Sequence, residues 1–207
     1  MKGLTREVLI STGLRLLDEV GLDGLTVRRL ASELGVRSPA LYWHIRTKQE
    51  LLDGMADEII VRAGMGPPAD GESWPEWLRR RSRSYRRSLL ASRDGARVVS
   101  SALRSGGATG HFEIELAAMV ERGFTPVRAL RTITVLSHYI TGHVLQEQGS
   151  REPVGEAPDL SGLPTIAAAL LGGNPIGDEG FEYGLDVLIE GTRALLGAAP
   201  GPADPLP

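Results

Sequence analysis

The run Ser38-Pro39-Ala40-Leu41-Tyr42-Trp43-His44 places a hydroxyl, a phenol, an indole and an imidazole within a few residues of one another. Three consecutive rings do not suit a helical core, whose positions recur every third or fourth residue. Leu41 and Ile45, four apart, supply the core-facing pair. Ser38, Pro39, Ala40 and Tyr42 are left to present small, apolar and hydroxyl groups, which are suited to meeting base edges. Tyr42 and His44 can donate to phosphate oxygens, and Lys48 opens a further helix whose N-terminus attracts an anion. The same stretch would also suit a plain three-helix packing unit with an aromatic patch.

A second pair of residues breaks the pattern around it. The stripe Trp74, Trp77, Leu78, Arg81, Tyr85, Ser88 and Leu89 recurs at helical spacing, with a guanidinium on a largely apolar face. On the stripe Phe112, Leu116, Met119 and Val120, Glu115 is the corresponding carboxylate. A buried charge is costly unless it is paired or meets something polar. Arg81 and Glu115 therefore read either as an internal salt bridge or as contacts to a ligand. Arg79, Arg80, Arg83, Arg86 and Arg87 read as solvated or acid-paired. His111, His138 and His143 lack zinc-type spacing, and structural or pocket-lining roles are expected for them. Ser137 and His138 are adjacent and do not face each other on a helix, so they form no catalytic pair. With no nucleophile–base pair, metal cluster or phosphate loop, no enzymatic activity, metal or cofactor is expected.

The elements that must position these residues read as helices punctuated by Gly and Pro. Residues 6–20 carry an apolar stripe that Gly21 and Gly24 stop. A second helix follows Thr26 and ends at Gly35. A very short third helix is expected from Ser38 as N-cap, with Pro39 first in the helix, to near Ile45. Thr47-Lys48-Gln49-Glu50 and Ser73-Trp74-Pro75-Glu76 read as capping boxes. Helices are then expected to about Gly64, Ser92, 101, 122, Gln148, Leu171 and 197, making nine or ten in an all-α fold. Helix 2, the turn at Gly35 and helix 3 form a helix-turn-helix, whose second helix can enter the major groove. In the last helix Phe181, Gly184, Leu185, Leu188 and Gly191 share a stripe, and the two glycines predict a close helix approach. That approach could be to a second copy or within the chain.

Composition is that of an ordinary globular protein. The chain has 207 residues, no cysteine and a net charge of −3. Residues 1–50 hold 8 Lys/Arg against 6 Asp/Glu, and the remainder 15 against 20, a basic head on an acidic body. No apolar run is long enough to span a membrane and the N-terminus shows no apolar signal core, so a cytoplasmic location is expected. Three segments are expected: a DNA-binding domain at 1–46, a helical ligand-binding and dimerisation domain at 47–197 joined through helix 4, and a disordered tail at 198–207.

The stretch from Leu25 to Leu52 resembles the signature of the tetracycline-repressor (TetR) family. It includes Leu25-Thr26-Val27-Arg28-Arg29-Leu30-Ala31, Gly35-Val36, Ser38 to His44, Lys48 and Leu51-Leu52. Gly71-Glu72-Ser73-Trp74, Arg86 to Leu90, Arg93-Asp94-Gly95-Ala96, Ser137-His138-Tyr139 and Val144-Leu145 resemble the regulatory domain of the family's founding repressor. The resemblance covers about residues 4–196. It implies a DNA-contacting set of Thr26, Arg28, Ser38, Pro39, Ala40, Tyr42, Trp43, His44 and Lys48, with Arg28 reaching a guanine and Trp43, His44 and Lys48 serving the phosphates. It also implies an effector site about Arg81, Tyr85, Val99, Leu103, Phe112, Glu115, Ser137, His138 and Gln146.

Two departures narrow that expectation. Ser38 and Ala40 stand where the founding repressor has Gln and Thr, and losing a bidentate Gln changes base preference by about 1–3 kcal/mol. Val99 and Gln146 stand where it holds a magnesium–tetracycline chelate through His and a partner-subunit Glu. The expected protein is thus a homodimeric repressor released from a palindromic double-stranded operator by a small organic molecule other than that chelate. Helix 4 is expected to carry the effector's signal to a head too small to stand alone. A transcriptional activator, or a helical ligand-binding dimer without DNA function, are the alternatives.

Overall fold

The computed structural model describes residues 3–102, 109–150 and 159–197. Leu103 and the expected tail at 198–207 lie outside the described residues. Among these there are ten helices and no strand, so the chain is all-α.

The head is built from three helices. α1 (Arg6–Gly24) starts at Thr5, whose hydroxyl accepts from Val8 N at 3.3 Å, and its regular run ends at Gly21, where φ is 69°. α2 (Val27–Glu33) is capped by Thr26, which accepts from Arg29 N at 3.1 Å. Gly35 adopts a φ of 65°, the left-handed turn that carries the chain into α3 (Ser38–Leu41). α3 differs from expectation at both ends. Its cap is Arg37, because Ala40 N closes the first turn on Arg37 O at 2.9 Å, and Ser38 is already helical. It stops at Leu41, and turns carry the chain on to Ile45. Leu41 and Ile45 are nonetheless buried as their spacing predicted. Full burial of such a side chain contributes about 1.5–3 kcal/mol, enough to moor a single helical turn.

α4 (Lys48–Arg62) joins head to body and packs on α1 as well as on two helices of the body. Its cap departs slightly from the predicted box. Thr47 accepts from Glu50 N at 3.0 Å, but the Glu50 carboxylate reaches back to Arg46 N at 2.7 Å. The body comprises α5 (Trp74–Leu90), α6 (Gly95–Ser101), α7 (Thr109–Val120), α8 (Pro126–Gly149), α9 (Pro164–Gly172) and α10 (Asp178–Gly197). At the start of α5, Glu76 accepts from the backbone and hydroxyl of Ser73, at 3.1 and 2.6 Å. α8 is the central element, packed by α5, α6, α7 and α10.

α8 is apolar on two faces. Ala129, Ile133, Leu136, Ile140 and Val144 are buried within the chain, while Val127, Leu130 and Val135 are exposed on the opposite side. α10 repeats this, with Phe181, Leu185 and Ile189 buried and Tyr183, Val187 and Leu195 exposed. Of the two glycines on the α10 stripe, Gly184 has an intrachain explanation and Gly191 does not. A Cβ on Gly184 would clash with the Tyr139 hydroxyl of α8, whereas Gly191 has nothing within 4 Å. α9 has no buried residue of its own, and Leu171 is 88% exposed.

Candidate DNA-reading surface and effector site

The surface of the head follows from what holds its short third helix. With Leu41 and Ile45 turned inward, Pro39, Tyr42 and Trp43 face solvent, and Trp43 is 89% exposed. Thr26, Arg28 and Lys48 are exposed, while Ser38, Ala40 and His44 are half-buried. An indole so exposed costs hydrophobic free energy unless a partner covers it. The sequence-predicted set thus lies on α2 and its cap, on α3 and the turn that follows it, and on the start of α4.

Charge pairing differs between this surface and α5. In the body the α5 arginines are neutralised: Arg79 by Asp186, Arg80 by Glu72, Arg83 by Glu182, and Arg86 by Glu147 and Asp178. Arg87 donates to Ser84. In the head Arg15 is paired with Glu19 and Glu33. Among the described residues Arg28, Arg29, Arg37, Arg46 and Lys48 form no salt bridge, although all five lie exposed at or beside the helix-turn-helix. Exposed cations without acidic partners are what a polyanion requires. Arg29, Arg37 and Arg46 were absent from the sequence-predicted set. Their signal was the scarcity of acids between Thr26 and Lys48, where Glu33 stands alone.

In the body Arg81 and Glu115 come together. Arg81 Nε and Nη2 both approach Glu115 Oε2, at 3.0 and 2.9 Å, and the two residues are 1% and 2% exposed. Arg81 Nη1 is buried with no hydrogen-bond partner. One turn along α5, the Tyr85 hydroxyl lies 3.4 Å from Thr141 Oγ1 of α8. Val99, Phe112 and Ser137 are half-buried on α6, α7 and α8, whereas His138 and Gln146 are exposed on the protomer. Leu103 is outside the described residues. His143 Nε2 sits 3.1 Å from Gly177 O and helps to seat the start of α10. No group of three or more His, Asp or Glu suited to a metal occurs among the described residues, and no described helix is long and apolar enough to cross a membrane.

Comparison with known proteins covers both halves. Residues 9–55 match the model for bacterial regulatory proteins of the tetR family, and residues 67–196 match the tetracyclin repressor-like C-terminal domain. The class D tetracycline repressor protein of Escherichia coli is 39% identical over 203 residues, covering 96% of this chain and 93% of the relative. A class A repressor solved with an anhydrotetracycline and magnesium superposes with a TM-score of 0.72 at 32% identity, covering 92% of this chain and 99% of that one. BioQ, solved with its natural double-stranded DNA operator, gives a TM-score of 0.69 at 29% identity, covering 93% and 99%.

Proposed function

The chain belongs to the TetR family of bacterial regulators, and from that premise we propose that it is a repressor released from a palindromic operator by a small organic effector. Members of this family are ligand-responsive DNA-binding regulators rather than enzymes. The observation that carries the reading is the set of unneutralised cations around exposed Tyr42 and Trp43, in contrast to the acid-paired Arg79, Arg80, Arg83 and Arg86 of α5. Arg28 on α2 and the outward residues of α3 contact base edges, and Trp43, His44 and Lys48 contact phosphate. Ser38 and Ala40 give that reading surface its own base preference.

The repressor acts as a homodimer. The exposed apolar faces of α8 and α10 lie opposite the faces these helices bury within the chain, and a second copy covers them. Two heads then meet half-sites about 34–36 Å apart. The effector enters the body between α5, α6, α7 and α8 and offers an acceptor to Arg81 Nη1. A magnesium–tetracycline chelate does not fit. Val99 has no donor atom, and the Gln146 amide is a poorer ligand for a hard cation than a carboxylate.

Fluorescence anisotropy against the duplex upstream of the protein's own gene tests this. The Kd is expected to rise steeply with salt, and Arg28→Ala to cost about 1–3 kcal/mol while relaxing one base position. Affinity no greater than for random duplex would overturn the reading.

A further inference from the structure

The turn between α5 and α6 grips the head at a point that α4 does not reach. Asp94 precedes α6 with φ 57° and ψ 18°, and it alone among the described non-glycine residues has a positive φ. That backbone is disfavoured for any residue with a Cβ, least so for Asn and Asp. Here it accompanies a contact to another helix. Asp94 Oδ2 accepts from Leu22 N at 2.8 Å, just beyond the Gly21 break in α1. A Cβ on Gly21 would stand 3.0 Å from that oxygen and 3.2 Å from Arg93 Nε.

Further contacts surround this one. Arg93 N donates to Asp18 Oδ1 at 2.8 Å. Arg97 donates to Asp23 at 3.2 and 3.0 Å and to Asp94 at 3.2 Å, and its guanidinium holds the Asp23 carboxyl below the usual range. On the body side the turn is held by Gln148 of α8. Its Nε2 donates to Leu89 O and Ser92 O at 3.1 and 3.0 Å, and its Oε1 accepts from Ala96 N at 3.3 Å. At the far end of α6, Ser101 O accepts from Gln49 Nε2 of α4 at 3.0 Å. One short helix is thus tied to α1 at its start and to α4 at its end. A single tie leaves a pivot, whereas two ties on one rigid element define an orientation.

We propose that Asp94 is a positioning residue that sets the angle of the head on the body, so that movement of α6 reaches the head through α1 as well as α4. Its consequence for operator release rests on the regulator reading above, but the attachment itself does not. Hydrogen exchange on the full-length chain tests it with Asp94→Gly, which keeps the left-handed backbone and removes the carboxylate, and Asp94→Asn, which keeps an acceptor oxygen. Asp94→Gly is expected to speed exchange across residues 22–45 by about tenfold or more, since a hydrogen bond to a charged group is lost. Asp94→Asn is expected to do less, and α8 and α10 are expected to keep their protection.

Acceleration confined to the Leu22 amide, or spread equally over the body, would overturn the proposal. Should Asp94→Gly not fold, Arg97→Gln probes the outer half of the same attachment, and unchanged exchange across residues 22–45 would again overturn it. Random-sequence duplex at low salt serves as the control, because none of these substitutions touches the DNA surface. Unchanged binding with faster head exchange supports the proposal. Failure of the unaltered protein to bind any duplex would instead count against the regulator reading.

Discussion

At the scale of single residues, a guanidinium and a carboxylate are buried together at 1% and 2% exposure. Each would be prohibitive alone, and Glu115 Oε2 serves both Nε and Nη2 of Arg81. Removing one partner leaves the other charged group in a medium that solvates it poorly. Arg81→Met is expected to lower stability by about 3–5 kcal/mol, and Arg81→Met with Glu115→Leu to regain most of that loss. Urea unfolding at a fixed protein concentration measures both, and a single substitution costing under about 1 kcal/mol would mean that solvent reaches the pair. The periodicity of α5 and α7 exposed Arg81 and Glu115 as anomalies. It could not pair them, because residues 34 apart meet only when two helices cross.

At the scale of elements, the segment linking α4 to α5 is strapped down rather than loose. Trp77 Nε1 donates to Gly66 O at 2.7 Å, Arg80 donates to Pro67 O at 3.3 Å, and Glu72 accepts from Ala69 N and from Arg80, each at 2.8 Å. The hydrogen bonds from Arg80 are the main cause that brings the Glu72 carboxyl from an ordinary 4.5 down to about 2. A depressed carboxyl contributes stability that is fully present above pH 4.5 and is lost as the pH falls towards 2. Glu72→Gln should therefore lower the Tm at neutral pH, and the gap to the unaltered protein should narrow below pH 4.5. Thermal unfolding across pH checks this, and a gap independent of pH would sink it.

Helix limits were legible where a cap or a glycine set them locally, as at Thr26, Gly35, Thr47 and Ser73. They were less so at α3, where four helical residues leave no periodicity and the cap falls at Arg37.

At the scale of the whole molecule, α8 and α10 each carry a buried apolar face and an exposed one. Val187 is 54% exposed on α10, and a charge there would have to be desolvated in any four-helix contact with a second copy. Val187→Asp is expected to give a monomer by light scattering, with operator affinity falling towards that for non-specific DNA, typically about 10³-fold weaker or more. A dimer that persists would place the interface elsewhere. A monomer that kept full affinity would remove the two-head account of operator recognition.

The sequence by itself determined the all-helical class and the helix-turn-helix, because caps, turn glycines and apolar periods act over a few residues, and the family through the resemblance of the run from Leu25 to Leu52. It also determined which side chains of α3 face outward, since Leu41 and Ile45 could occupy only the core side. Tertiary structure alone decided what meets across distance. It paired Arg81 with Glu115, seated Gly184 against Tyr139, neutralised Arg79, Arg80, Arg83 and Arg86 of α5 while leaving the cations of the helix-turn-helix unpaired, and brought Asp94 onto Leu22. In the sequence Asp94 stands only where the helix expected to end near Ser92 gives way to the next. Its grip on the head depends on where α1 ends relative to α6, and no local pattern encodes that distance.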